Sequence, residues 1–263
     1  MTEPAAKLPV LITFPPSLDS ELSRFLLGHY GVEHEEHPHT LYFCFAATLW
    51  HGFTFIFPLL YGPSFKFEGP RPMANYFDAR CPRELRLFPQ GENEKRQFEA
   101  DWTQFNEALA FATAKFAYYH LLPHREIMIV PLSERTPALE QRAVKSAYPL
   151  FAGLLRLLLR LNAKNAQDNL DQARKILDTV DSRLSAGQKY LVGDQLSLSD
   201  VAFAVAAAPL VLPEAYGGPI PPYEHMPTPI QSAIDETRAR PAGAFALRIY
   251  QEERRRIGGR LAA

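Results

Sequence analysis

The side chains best suited to chemistry fall into a few groups. His34, His37 and His39 stand as H-x-x-H-x-H in a glutamate-rich stretch. Imidazole is a common metal ligand. Strand alternation, however, puts His34 on one face and His37 and His39 on the other, so the expectation is an exposed polar edge. His120 and His124 are four residues apart, which on an unbroken helix would bring both to one face. Pro123 lies between them and breaks that helix, so no metal site is expected there. Cys44 and Cys81 form no Cys-x-x-Cys pair and read as free thiols in a reducing compartment. Ser17 follows Pro15-Pro16 and precedes an apolar stripe, the place of a helix N-cap. Phosphate-loop, dinucleotide-fingerprint and G-x-S-x-G motifs are all missing from the sequence.

These residues must be held by elements that the sequence also outlines. Lys7 to Phe14 reads as a short buried strand, stopped by the prolines. Leu18, Leu22, Phe25 and Leu26 then give helical spacing, with Asp19 and Glu21 in the first turn, where the helix dipole favours negative charge. Gly31 ends that helix. Val32 to His37 suits an edge strand. Thr40 to about His51 suits a helix, Leu59 to Tyr61 a buried strand, and Ser64 to Phe67 its hairpin partner. Pro70 and Pro72 open a helix reaching about Arg80. Residues 82–92 read as a linker. The rest is helical. Phe98, Trp102, Phe105, Leu109 and Phe116 form one stripe, and residues 137–161 read as one helix. A third helix runs through Leu170 to Leu184, and Ser199 to Leu212 make a helix apolar on every side. A last helix over 229–256 is interrupted near Pro241.

The bulk figures are those of a folded, unspecialised surface: 263 residues, 47% hydrophobic, 22% charged, formal net charge −1. That balance excludes nucleic-acid binding by bulk positive charge. Arg254-Arg255-Arg256 and Arg260 are too short a basic run to change it, and read as a solvated helix end. The first 16 residues read as a strand rather than a signal peptide. Leu41 to Gly62 contains no Lys, Arg, Asp or Glu and is long enough to span a bilayer. Gly52, Pro58 and His51 interrupt it, and no Lys/Arg cluster flanks it. The expectation is a buried helix followed by a buried strand, without membrane association.

The order β-α-β-α-β-β-α followed by helices resembles the glutathione transferase layout. That resemblance implies a thioredoxin-like α/β domain over 1–82, a linker over 83–92, and an all-α helical bundle over 93–263. Three segments carry it. Tyr190-Leu191-Val192-Gly193-Asp194 followed by Ser197-Leu198-Ser199-Asp200 is similar to the family's capping-box segment, in which serine and acid satisfy each other's N–H groups. Phe57-Pro58-Leu59-Leu60 resembles the family's cis-proline before the third strand, where the backbone of the preceding residue binds the cysteinyl part of glutathione. Ser17 falls where the serine and cysteine classes place the residue that activates the glutathione thiol. Ser20 is a second candidate.

The resemblance implies that Ser17 is catalytic, through a hydroxyl stabilising a glutathione thiolate. Phe57 and Pro58 would hold the glutathione backbone. Tyr118 and Tyr119 fall where related folds line the electrophile pocket. The segment Glu68-Gly69-Pro70-Arg71 departs from the family's acidic-Ser pair: Pro70 has no N–H, which leaves Glu68 for the glutathione amino group and Arg71 for a carboxylate. The function implied is a cytoplasmic, homodimeric detoxification transferase that adds the thiolate of its co-substrate glutathione to a small hydrophobic electrophile, with no metal and no nucleic acid. The departure at 68–71 keeps an alternative open, a non-catalytic relative that binds an apolar ligand or a partner protein.

Overall fold

The computed structural model describes residues 7–254 and 260–261. The first half is a mixed sheet with helices on both faces. Its elements are β1 (Val10–Thr13), α1 (Leu18–His29), β2 (Glu35–Pro38), α2 (Leu41–Gly52), β3 (Leu59–Tyr61), β4 (Lys66–Glu68) and α3 (Pro70–Asp78). β1 is buried at all four positions, as a strand covered on both faces requires. It pairs parallel with β2, in register Val10 to Glu35, and antiparallel with β3, in register Leu11 to Leu60. β3 and β4 form a hairpin, and a short β5 (Arg260–Leu261) pairs parallel with β2. The sheet order is β4-β3-β1-β2-β5.

The second half is helical: α4 (Glu92–Trp102), α5 (Ala110–Leu121), α6 (Arg125–Ser133), α7 (Ala138–Ser146), α8 (Tyr148–Leu158), α9 (Ala163–Ser185), α10 (Leu198–Val211), α11 (Thr228–Arg238) and α12 (Pro241–Glu253). A π-helical stretch, Thr103–Leu109, joins α4 to α5. α10 is the hub, touching α4, α5, α11 and α12, and also α1 of the sheet half. It is buried at every position but Pro209, as its almost wholly apolar sequence predicts. The capping box is in place. The Asp200 carboxylate accepts the Ser197 N–H at 2.7 Å, the Ser197 hydroxyl at 2.6 Å and the Leu191 N–H at 2.7 Å.

β1 divides the core by its alternation. Leu11 joins Leu27, Leu60 and Met73 in a small cluster on one side. Val10 and Ile12 face the large cluster, which runs through Phe25 and Phe203 to Tyr250 and is continuous across both halves. α1 is therefore wedged between the sheet and α10. The segment between the halves is also docked: the Leu87 N–H donates to Asp78 at 2.5 Å, and the Leu87 carbonyl accepts the Leu198 N–H at 2.9 Å.

The structure differs from the sequence expectation in three places. The single helix over 137–161 is two, α7 and α8, broken at Ala147, because Pro149 cannot donate to a continuing ladder. α6, with Pro131 inside it, had no clean apolar period to announce it. Residues 41–62 are not wholly buried. α2 buries only Leu41, Cys44, Thr48 and Gly52, while Trp50, Phe53, Phe55 and Ile56 are exposed. Among the described residues no helix is long and apolar enough to cross a membrane.

Candidate active site

The β1–α1 turn opens onto a cleft between the two halves. Ser17 is the N-cap of α1, with extended backbone, and its hydroxyl oxygen accepts the Ser20 N–H at 3.4 Å. The Ser17 oxygen is the acceptor in that bond, so its hydroxyl proton remains free to donate. Around it stand Phe14 just after β1, Leu41 and Phe45 from α2, Phe57, and Tyr118 from α5, lining a cavity of about 230 Å³ together with residues of α8. The aromatic wall is built on Phe57, whose ring meets Phe14 edge-on at 6.0 Å and Phe45 at 5.3 Å. The Phe57–Pro58 peptide is cis.

A second apolar compartment adjoins the first. It shares Pro16, Leu18, Ala114 and Tyr118, and continues between α5, α6 and α10 to Tyr216 and Ile220. Tyr118 stands on the boundary, and burial pushes its phenol above the ordinary tyrosine range.

Few polar groups enter the first compartment: Ser17, Asp19, Asn106, Lys115 and the Tyr118 hydroxyl. Asn106 is supplied by the π-helical stretch, an irregularity that recurs at functional sites because it re-aims side chains. Asp19 sits in the first turn of α1, and burial raises its carboxyl to about 6. Sequence reading assigned Asp19 only to the helix dipole. The missing signal was tertiary, because its environment comes from α5 and α2.

The remaining candidates lie elsewhere. Tyr119 lines neither compartment. It meets His120 edge-on at 4.9 Å and lies 5.7 Å from the Arg156 guanidinium. Ser20 is fully buried, with its hydroxyl unpartnered. Pro58 accepts the Gly69 N–H at 2.8 Å and so ties the β3–β4 hairpin to α3. Glu68 pairs with Lys66 at 3.1 Å and accepts the Thr54 hydroxyl at 3.0 Å. Arg71 bonds Glu99 at 2.6 Å and lies over the rings of Phe98, Trp102 and Phe88 at 4.7, 4.9 and 5.4 Å. It thereby fastens α3 to α4 through cation–π contacts.

The histidines disperse. His34 bonds the Val32 carbonyl, His37 bonds Glu35, and His39 bonds Glu140 of α7 at 2.7 Å. Among the described residues no group of three or more metal-ligating side chains converges.

Comparisons with known proteins agree with this fold. Residues 134–224 match the family model described as glutathione S-transferase, C-terminal domain. No curated protein sequence matches the chain. Among solved structures, a glutathione S-transferase of Rhodospirillum rubrum is 12% identical, with a TM-score of 0.57, covering 94% of this chain and 99% of its own. Poplar glutathione transferase is 12% identical, with a TM-score of 0.55 and the same coverage of 94% and 99%. A glutathione S-transferase of Methylobacillus flagellatus, solved with GSH bound, is 15% identical, with a TM-score of 0.52 and coverage of 90% and 98%. With a thioredoxin-like sheet half, a buried capped core helix and residues 134–224 that match the glutathione S-transferase C-terminal domain, the chain has the glutathione transferase fold.

Proposed function

We propose that the protein is a glutathione-dependent transferase, with a sheet domain over 1–82 and a helical domain over 93–263 joined by 83–92. The observation that carries the reading is the Ser17 hydroxyl, placed at the N-terminus of α1 and opening on an apolar cleft between the two halves. A donor there, backed by the positive end of a helix, stabilises a thiolate and lowers the thiol pKa. The thiolate then attacks an electrophile held against Phe14, Phe45 and Tyr118. The apolar walls exclude water and strengthen the charge interactions at the sulfur.

The residues fit glutathione in a way of their own. Glu68 and Arg71 are already satisfied by Lys66 and by Glu99. Asp19 and Lys115 face the cleft and form no ion pair among the described residues. They have the charges needed for the ammonium and a carboxylate of the tripeptide. We assign those roles to Asp19 and Lys115, with the backbone of Phe57 beside the cysteinyl part. The engagement of Glu68 and Arg71 elsewhere also supports a second reading, a non-catalytic relative that takes an apolar ligand in the same cleft.

Calorimetry with glutathione separates the two. Saturable binding that weakens in Asp19→Asn and Lys115→Met supports the transferase. A folded sample that binds no glutathione at millimolar concentration, yet binds an apolar dye displaced by hydrophobic ligands, establishes the second reading.

A further inference from the structure

Two apolar faces flank the cleft and are left uncovered by the described residues. The first is the end of α2 and the loop after it, where Trp50 is 81% and Phe53 91% exposed, beside Leu49, Phe55 and Ile56. The second is the outer face of α8, where Leu150, Leu154, Leu157 and Leu158 are exposed. At about 100° per residue these four leucines fall within about 100° of arc. The helix thus presents Leu155 inward and a leucine stripe outward. The two helices adjoin: the Tyr42 ring of α2 meets Phe151 of α8 at 5.1 Å, and Leu41, Phe45, Leu155 and Leu158 line one cleft. Exposed apolar surface of this kind marks an interaction site.

The charge around it selects the occupant. From Gln141 to Gln167 there is no Asp or Glu, but there are Arg142, Lys145, Arg156, Arg160 and Lys164. All five are exposed, and none makes an ion pair among the described residues. The whole chain has a formal charge of −1, so this is a local asymmetry. A two-fold axis passing through the α8 face would set these cations against their own equivalents, which costs affinity. An anionic bilayer satisfies both features at once, taking up leucine and aromatic side chains while its headgroups meet the Arg and Lys that flank them. The geometry points to a peripheral membrane-docking surface formed by the α2 end and α8, which sets the mouth of the cleft against an anionic lipid surface. Docking of this kind needs no spanning helix, and it runs against the sequence expectation of no membrane association. It stands independently of glutathione chemistry.

The test is flotation of the full chain with vesicles of phosphatidylcholine alone or with added phosphatidylserine, without glutathione. The expected result is flotation with the phosphatidylserine vesicles only, weakened by salt. Trp50→Ser/Phe53→Asn and Leu154→Ser/Leu157→Ser should each lower the bound fraction about tenfold or more, the loss expected when one anchoring contact is worth a factor of ten. Arg160→Glu/Lys164→Glu should weaken binding without touching the apolar stripe. All three sites are on the surface, so an unchanged thermal midpoint confirms that the fold survives. The proposal is overturned if the wild type does not float, if the variants float as well as the wild type, or if light scattering shows a self-association that the apolar variants abolish and vesicles do not displace.

Discussion

Ser17 and Asp19 are two residues apart, yet the turn that holds them gives them opposite electrostatic circumstances. Ser17 gains from the helix end, and its worth is the strength of one hydrogen bond to a charged sulfur. Such bonds contribute about 1.5–3 kcal/mol. Ser17→Ala should therefore lower kcat/KM for conjugation of a hydrophobic electrophile by roughly tenfold to hundredfold, and raise the pH at which the bound thiol ionises. Asp19 is kept at a cost. Its carboxyl is raised from 3.8 to about 6 by burial, so the folded chain holds a proton that the unfolded chain has released over that interval. Stability then falls as pH rises from about 4 to about 6, and the loss persists above. Asp19→Asn removes it. Allowing for the favourable helix end, the variant should be about 1–2 kcal/mol more stable at pH 7 and unchanged near pH 3, as denaturant melts at the two pH values would show. A carboxylate retained against stability is what a ligand-binding role predicts, so the same variant should lose glutathione affinity while gaining stability.

At the scale of elements, the local rules were legible and the distant ones were not. The capping box of α10 lies within four residues, and Ser197 and Asp200 announced it. Asp200→Ala would strand the N–H groups of Leu191 and Ser197 in the interior. It should cost about 2–4 kcal/mol, read as a lowered thermal midpoint with the helical signal otherwise intact. The order of β1 to β4 followed from proline and glycine punctuation between apolar runs, and α1 from its spacing. The partners of α2 gave no such signal. Its first N–H group of the cap, at Thr40, donates to Glu140 at 2.8 Å, a residue a hundred positions away that also holds His39. Nothing near His39 points to α7, and the histidine trio therefore read as a solvated edge. The same distance concealed the polar lining of the cleft. Asn106 and Lys115 belong to a stripe whose apolar members define the helix, and only the packing of α2 and α8 turns their side of it toward Ser17. The engagement of Arg71 by Phe98 and Trp102 was hidden for the same reason, since each of those rings read simply as core.

The whole molecule is held by a buried ionic cluster at the seam of its halves. Glu21 of α1 is fully buried. It accepts the Gly217 N–H at 2.9 Å and the Arg254 Nε–H at 3.2 Å. Arg24, one turn on, donates to Glu36 of β2 at 2.7 and 2.9 Å, and Thr13 donates to the same carboxylate at 2.7 Å. Burial pushes the Glu21 carboxyl up; at Glu36 burial pushes the same way, but Arg24 and the Thr13 hydroxyl together hold that carboxyl below the usual glutamate value. A depressed carboxyl contributes stability that is fully present above its unfolded pKa and is lost as pH falls through the folded one. Glu36→Gln should flatten that acid-side decline. Glu36→Ala leaves the Arg24 guanidinium buried beside an empty site and should cost about 3–5 kcal/mol, measurable by urea titration at neutral pH.

This cluster, with the pairing of β5 on β2, joins the last part of the chain to the sheet built by its first part. The connection between α3 and α4 carries the exposed Arg83 and Arg86, yet it is not what keeps the halves together. A protease that cuts after Arg86 would therefore yield a nicked protein whose two fragments still migrate as one particle and melt in one transition. They should part only under denaturant. Each fragment made alone should stay unfolded until the other is added, which makes the chain a natural split protein.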